Sequence, residues 1–110
     1  MRTPTGSGRQ PIIDSEAFQL GHLRTLIALS RWPEAKVAAR DLAHQHPHTA
    51  HYRALLALIR GHEASLAGDH KRAREEWNRA LTLEPTLEPA QEALRQAPRP
   101  SLLDRLLRRG

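Results

Sequence analysis

Gly68-Asp69-His70-Lys71-Arg72-Ala73, followed by Trp77, Ala80 and Pro85, says more about architecture than any other part of this chain. Gly68 suits the left-handed stop of one helix, Asp69 is a natural cap for the next, and Pro85 ends it. Between them, Ala73 and Ala80 stand where a second helix must come close, and Trp77 stands where a gap must be filled. Part of the spacing recurs upstream: Ala35, Leu42 and Pro47 lie 38 residues before Ala73, Ala80 and Pro85. A turn, an amphipathic helix and a stop repeated at a fixed offset predict a helical-hairpin array. Such arrays more often bind other proteins than catalyse reactions.

The sequence has 110 residues, enough for one domain with a modest core. Ala and Leu dominate while Val, Ile, Phe and Tyr are scarce, which favours helix over strand. The absence of Cys excludes a disulfide framework and a thiolate metal site. No apolar run approaches the roughly 20 residues of a membrane span. Met1-Arg2-Thr3-Pro4 lacks the apolar core of a secretory signal, so the expectation is a cytoplasmic protein without a transmembrane segment. The net charge of +5 comes mostly from Arg and is dispersed, except where Arg99, Arg105, Arg108 and Arg109 face only Asp104. Dispersed Arg makes a solvated, salt-bridged helix surface. With no aromatic stacking platform beside it, this pattern weighs against a nucleic-acid partner.

Residues 1–13, with Thr3, Pro4, Gly6, Ser7, Gly8 and Pro11, read as a flexible tail. Asp14 or Ser15 caps a first helix that carries Phe18, Leu23, Leu26 and Ile27 and ends near Ser30. Trp32-Pro33-Glu34 starts a second, tolerating Pro in its first turn, and Pro47 stops it. Thr49 is the expected cap of a longer helix over 50–67. Asp69 caps a fourth helix to about Leu83, and Thr86 and Pro89 begin a shorter fifth through Leu87, Ala90, Leu94 and Ala97. Pro98-Arg99-Pro100 breaks the chain. Ser101 then caps a last amphipathic helix with Asp104 completing a weak capping box.

The spacing over Ala54–Pro85 resembles the tetratricopeptide repeat, a helix-turn-helix unit of about 34 residues. Gly61, Gly68, Ala73, Ala80 and Pro85 fall on the motif's small and Pro positions, and Trp77 on its large aromatic position. A degenerate copy spans Glu16–Thr49. It keeps Ala35 and Pro47, but Leu23 replaces the first Gly, Ser30 the turn Gly, Ala39 the aromatic and Leu42 the second Ala. The 38-residue offset implies about one extra helical turn at the start of the 50–67 helix. Two such units plus a capping helix give an all-α domain over 14–97, antiparallel hairpins stacked as a short right-handed solenoid, followed by the 98–110 linker and helix. A generic antiparallel bundle is the alternative.

The resemblance also implies a function. In this family the first helix of each hairpin lines a concave groove. Here the implied groove residues are Leu55, Ile59, His62 and Leu66 in the second unit, with Leu20, Arg24 and Ile27 in the first. The competing reading assigns these apolar residues to the core, and for Leu55 and Leu66 the two readings weigh equally; Leu56, Tyr52 and Ala64 more plainly face inward. The cation-rich clamp of one subclass of the family is not reproduced, since Leu20, Leu55, Leu58 and Ile59 hold the matching places. A mainly apolar groove favours an amphipathic helix or Leu-rich segment of another protein. Leu102, Leu103, Leu106 and Leu107 form a second candidate contact. That stripe is too short to be a stable helix alone, so the expectation is that it docks on its own domain, on a partner or on a second copy, or rests on an anionic membrane, where so short a segment is a weak anchor.

Other constellations carry less. His44, His46, His48 and His51 crowd around Pro47 with only Asp41 nearby, which falls short of a metal site. Ser15, Ser30, Ser65 and Ser101 lack a nucleophile elbow or a base at a motif spacing. Glu75 and Glu76 point in different directions on a helix, and there is no Gly-rich phosphate loop. The expectation is a non-enzymatic adaptor that needs no cofactor or metal and binds a protein or peptide, with room for homo-oligomerisation. A basic nucleic-acid-associated protein and a structural subunit of a larger assembly are the alternatives.

Overall fold

Ser15 accepts a hydrogen bond from the Phe18 amide at 3.0 Å and opens the first helix of the computed structural model, which describes residues 15–97. The tail over 1–13 and the segment carrying Leu102, Leu103, Leu106 and Leu107 lie outside the described residues. Five helices follow one another among the described residues: α1 Glu16–Ala28, α2 Trp32–Gln45, α3 Ala50–Leu66, α4 His70–Leu83 and α5 Glu88–Gln96. No strand occurs among the described residues, and none of their helices is long and apolar enough to cross a membrane. Pro33 and Pro89 sit in the first turns of α2 and α5, where a missing N–H costs nothing. Asp69 caps α4 by accepting from the Arg72 amide at 3.1 Å. Thr49 precedes α3 but makes no side-chain cap.

The α1–α2 and α3–α4 turns are built alike. Ser30 N–H donates to the Ile27 carbonyl and Arg31 N–H to that of Leu26; Gly68 N–H donates to Ser65 and Asp69 N–H to Ala64. Both are Schellman closures, which need a left-handed residue. Gly68 supplies it at φ +84°, and Ser30 is forced into it at φ +57°.

Contacts between neighbouring helices fix an antiparallel register. At one end of α3–α4, His51 meets Glu84; at mid-length, the Trp77 indole N–H donates to the Leu58 carbonyl at 3.2 Å. Between α2 and α3, Lys36 pairs with Glu63 at 3.0 Å and Trp32 stacks on His62. Each helix packs chiefly on its neighbours in sequence, and α3 lies between α2 and α4.

Among the described residues, nine of the seventeen buried apolar side chains are alanines, so the helices approach closely. The closest fit is at Gly61, where an added Cβ would lie under 3.0 Å from atoms of the Trp77 ring. In the first hairpin the corresponding positions hold Leu23 and Ala39, both without exposed surface. The bulky member has moved to the opposite helix. Leu87, Ala90 and Ala93 bury the inner face of α5, while Glu88, Pro89, Glu92 and Arg95 are exposed on its outer side.

Candidate surface on the third helix

The α3 stripe Leu55, Ile59, His62 and Leu66 follows one helix face, but the protein treats its two halves differently. Leu55 and Ile59 are buried and belong to the same core cluster as Leu23 of α1 and Ala35, Ala39 and Leu42 of α2. The groove expectation is corrected there: neither side chain has surface to offer a ligand, because tertiary neighbours cover that half of the stripe. His62 is half-buried, and Leu66 at the end of the helix is 76% exposed. In α1, Leu20 and Ile27 are partly buried against the core, and Arg24 is exposed.

His62 is held by two rings from different helices. The Trp32 ring lies parallel to it with centroids 4.4 Å apart, and Trp77 meets it edge-on at 5.2 Å. Burial in this aromatic slot pushes the His62 pKa below its ordinary value, so the imidazole stays neutral near pH 7. Beyond His62 opens a shallow cleft of about 190 Å³ lined by His62, Ser65, Trp77, Ala93, Gln96 and Ala97. The accessible surface is therefore the C-terminal half of α3 together with the end of α5. Gln96 carries no signal in the sequence, and Ser65 enters there only as a serine without a base at a motif spacing. Trp32 was legible as the opening of α2, but its stacking partner is thirty residues away and depends on the α2–α3 register.

The histidine-rich stretch joins a different construction. His46 Nδ1 lies 3.7 Å from Glu16, and His51 Nδ1 lies 2.6 Å from Glu84. Tyr52, between them, donates its hydroxyl to Glu16. Burial, reinforced by this bond, raises the tyrosine pKa to about 12. His44 and His48 are exposed. No three metal-ligating side chains converge among the described residues. Two of the four histidines bind carboxylates that tie helix ends together.

No protein-family model, curated protein or solved structure matches the chain.

Proposed function

We propose that the chain is a non-enzymatic interaction module of the tetratricopeptide type, acting in the cytoplasm and holding an amphipathic helical or extended segment of a partner protein against the C-terminal half of α3. Its two hairpins and α5 would be the successive layers of a short right-handed solenoid. The observation that carries the reading is Leu66. It is a large apolar side chain, 76% exposed, one helical turn past His62 and its cleft. Burying a leucine against a partner contributes about 1.5–3 kcal/mol, enough for one side chain to dominate a small interface. The cleft beside it is lined by small or polar groups around the Trp77 ring, a combination suited to an apolar anchor with one or two hydrogen bonds from Ser65 or Gln96. Two hairpins offer little area, so the single-site affinity is modest unless copies assemble.

The test uses the full chain and its Leu66→Asp variant as bait, followed by reconstitution with any purified partner. The expected result is a direct complex that weakens at least tenfold in the variant, consistent with the lost apolar burial. Circular dichroism should stay unchanged, since Leu66 makes little of the core. Equal affinity for both chains would sink the assignment of this surface.

A further inference from the structure

Four large apolar side chains are exposed among the described residues. Phe18, Leu29 and Val37 belong to the first hairpin, and Leu66 ends α3. The cleft beside Leu66 runs to α5: Ala93, Gln96 and Ala97 form one wall, and His62, Ser65 and Trp77 the rest. At about 190 Å³ it is smaller than the usual small-molecule site but large enough for one leucine side chain. Ala97 is both part of this wall and the residue from which the chain continues. It leaves α5 as extended backbone, φ −63° and ψ 137°, the conformation that a residue before proline prefers.

The sequence that follows is matched to this exit. Pro98-Arg99-Pro100 favours an extended run, and Leu102 lies five residues beyond Ala97, a reach of roughly 15 Å at polyproline spacing. On a helix, Leu102, Leu103, Leu106 and Leu107 share one face, while Asp104, Arg105 and Arg108 share the other. So short a stripe gains helical order only by burying its leucines. The outer side of α5 is equally near but offers them little apolar surface. The groove there is lined by Glu88, Pro89, Gln91, Glu92 and Arg95, and Glu92 already binds Arg95 and Gln96. Leu66 is the large apolar side chain that α3, α4 and α5 leave exposed, and its cleft begins where α5 ends.

We propose that the segment 98–110 docks within its own chain on the end of α3, its leucine stripe over Leu66 and one leucine in the cleft between His62, Trp77 and Ala93. Tethering makes even a weak contact persistent, because a linker this short sets an effective concentration on the order of millimolar. The segment is then a built-in competitor for the surface assigned to a partner above. A partner must displace it, so the apparent affinity falls with the fraction of chains that are open. That consequence rests on the proposed function; the docking itself does not.

Paramagnetic broadening in the full chain tests the contact. The sequence has no cysteine, so Arg105→Cys gives a single site for a nitroxide on the face away from the leucines. The label should broaden the backbone amides of Ser65 and Leu66. Adding Leu103→Asn and Leu106→Asn should relieve that broadening, and so should Leu66→Asp. A mixture of nitroxide-bearing chain and isotope-labelled chain should show none, which separates docking within one chain from docking on a second copy. A synthetic peptide of residues 98–110 gives an independent reading by anisotropy. It should bind the full-length Leu103→Asn, Leu106→Asn chain about tenfold more tightly than wild type, whose own segment competes. Broadening that survives the Asn changes, broadening in the mixture, or equal peptide affinity for the two chains would each overturn the proposal. Leu-dependent broadening in a chain whose partner ignores Leu66→Asp supports the docking and removes only the function proposed above.

Discussion

The indole of Trp77 occupies the space that a side chain on Gly61 would need: a Cβ there would come within 3.0 Å of ring atoms. The indole N–H, brought this close, reaches the Leu58 carbonyl one turn earlier on the same helix. The first hairpin solves the same packing problem with Leu23 and Ala39. One large and one small residue are required at this crossing, but either helix can supply the bulk.

Gly61→Ala therefore reverses its usual sign. In a helix interior the change ordinarily stabilises by about 1 kcal/mol, whereas here overpacking against Trp77 should cost about 1–3 kcal/mol. Trp77→Ala alone should cost about 3–5 kcal/mol through the cavity it leaves. Combining Trp77→Ala with Gly61→Leu copies the first hairpin's arrangement. Urea denaturation should show the double variant at least ~1 kcal/mol more stable than the sum of its single changes. Strict additivity would mean that the two positions do not share one packing site.

Ser30→Gly should stabilise the protein. Ser30 holds φ +57° in a turn hydrogen-bonded like that of Gly68. A left-handed L-residue costs roughly 1–2 kcal/mol, part of which glycine returns as extra freedom of the unfolded chain. The net gain of about 0.5–1 kcal/mol should raise the melting temperature by a few degrees for a domain of this size. Gly68→Ala, the mirror experiment, should lower it.

His62 sets a pH dependence with a definite sign. Its pKa lies below the ordinary 6.5 because the slot between Trp32 and Trp77 desolvates the imidazolium. The unfolded chain thus takes up a proton before the folded one does. The neutral imidazole is fully accommodated above the unfolded pKa, and stability falls as pH drops below it. Between about pH 7.5 and about pH 5.5, wild-type protein should lose more stability than His62→Phe, which keeps the stack but cannot titrate. Taking the difference between the two chains cancels the other histidines. Parallel pH profiles would refute the assignment.

Helix ends were legible because their signals are local. Ser15, Pro33, Asp69, Gly68, Pro47 and Pro85 each act within a turn of their own position, and the helices begin and end beside them. The extra turn implied by the 38-residue offset is present: α3 has 17 residues where α1 has 13, and it starts four residues before the position that offset sets from the start of α1. The candidate surface was only half legible. Leu55 and Leu66 are the same residue type on one face of one helix, yet they are 5% and 76% exposed. No periodicity distinguishes them, because neighbouring helices decide the difference. The Trp32–His62 stack and the Lys36–Glu63 pair were hidden for the same reason. Both need the α2–α3 register, which forms only once the alanine-lined faces have packed.

The ends of the two hairpins are fastened by clasps of opposite polarity. In the first, His46 just after α2 reaches back to Glu16 at the start of α1; in the second, Glu84 just after α4 reaches His51 at the start of α3. His46 and Glu84 are one 38-residue offset apart, so acid and base have exchanged helices. The second clasp is the tighter, 2.6 Å against 3.7 Å, and both its side chains are 28% exposed. Partial burial lifts such a contact above the few tenths of a kcal/mol typical of exposed pairs. A double-mutant cycle with His51→Gln and Glu84→Gln should return a coupling energy of about 1 kcal/mol by chemical denaturation. The matching cycle on His46 and Glu16 should return clearly less, and it must be run in a Tyr52→Phe background, because Tyr52 also binds Glu16. Equal couplings in the two clasps would show that distance and burial do not set their strength.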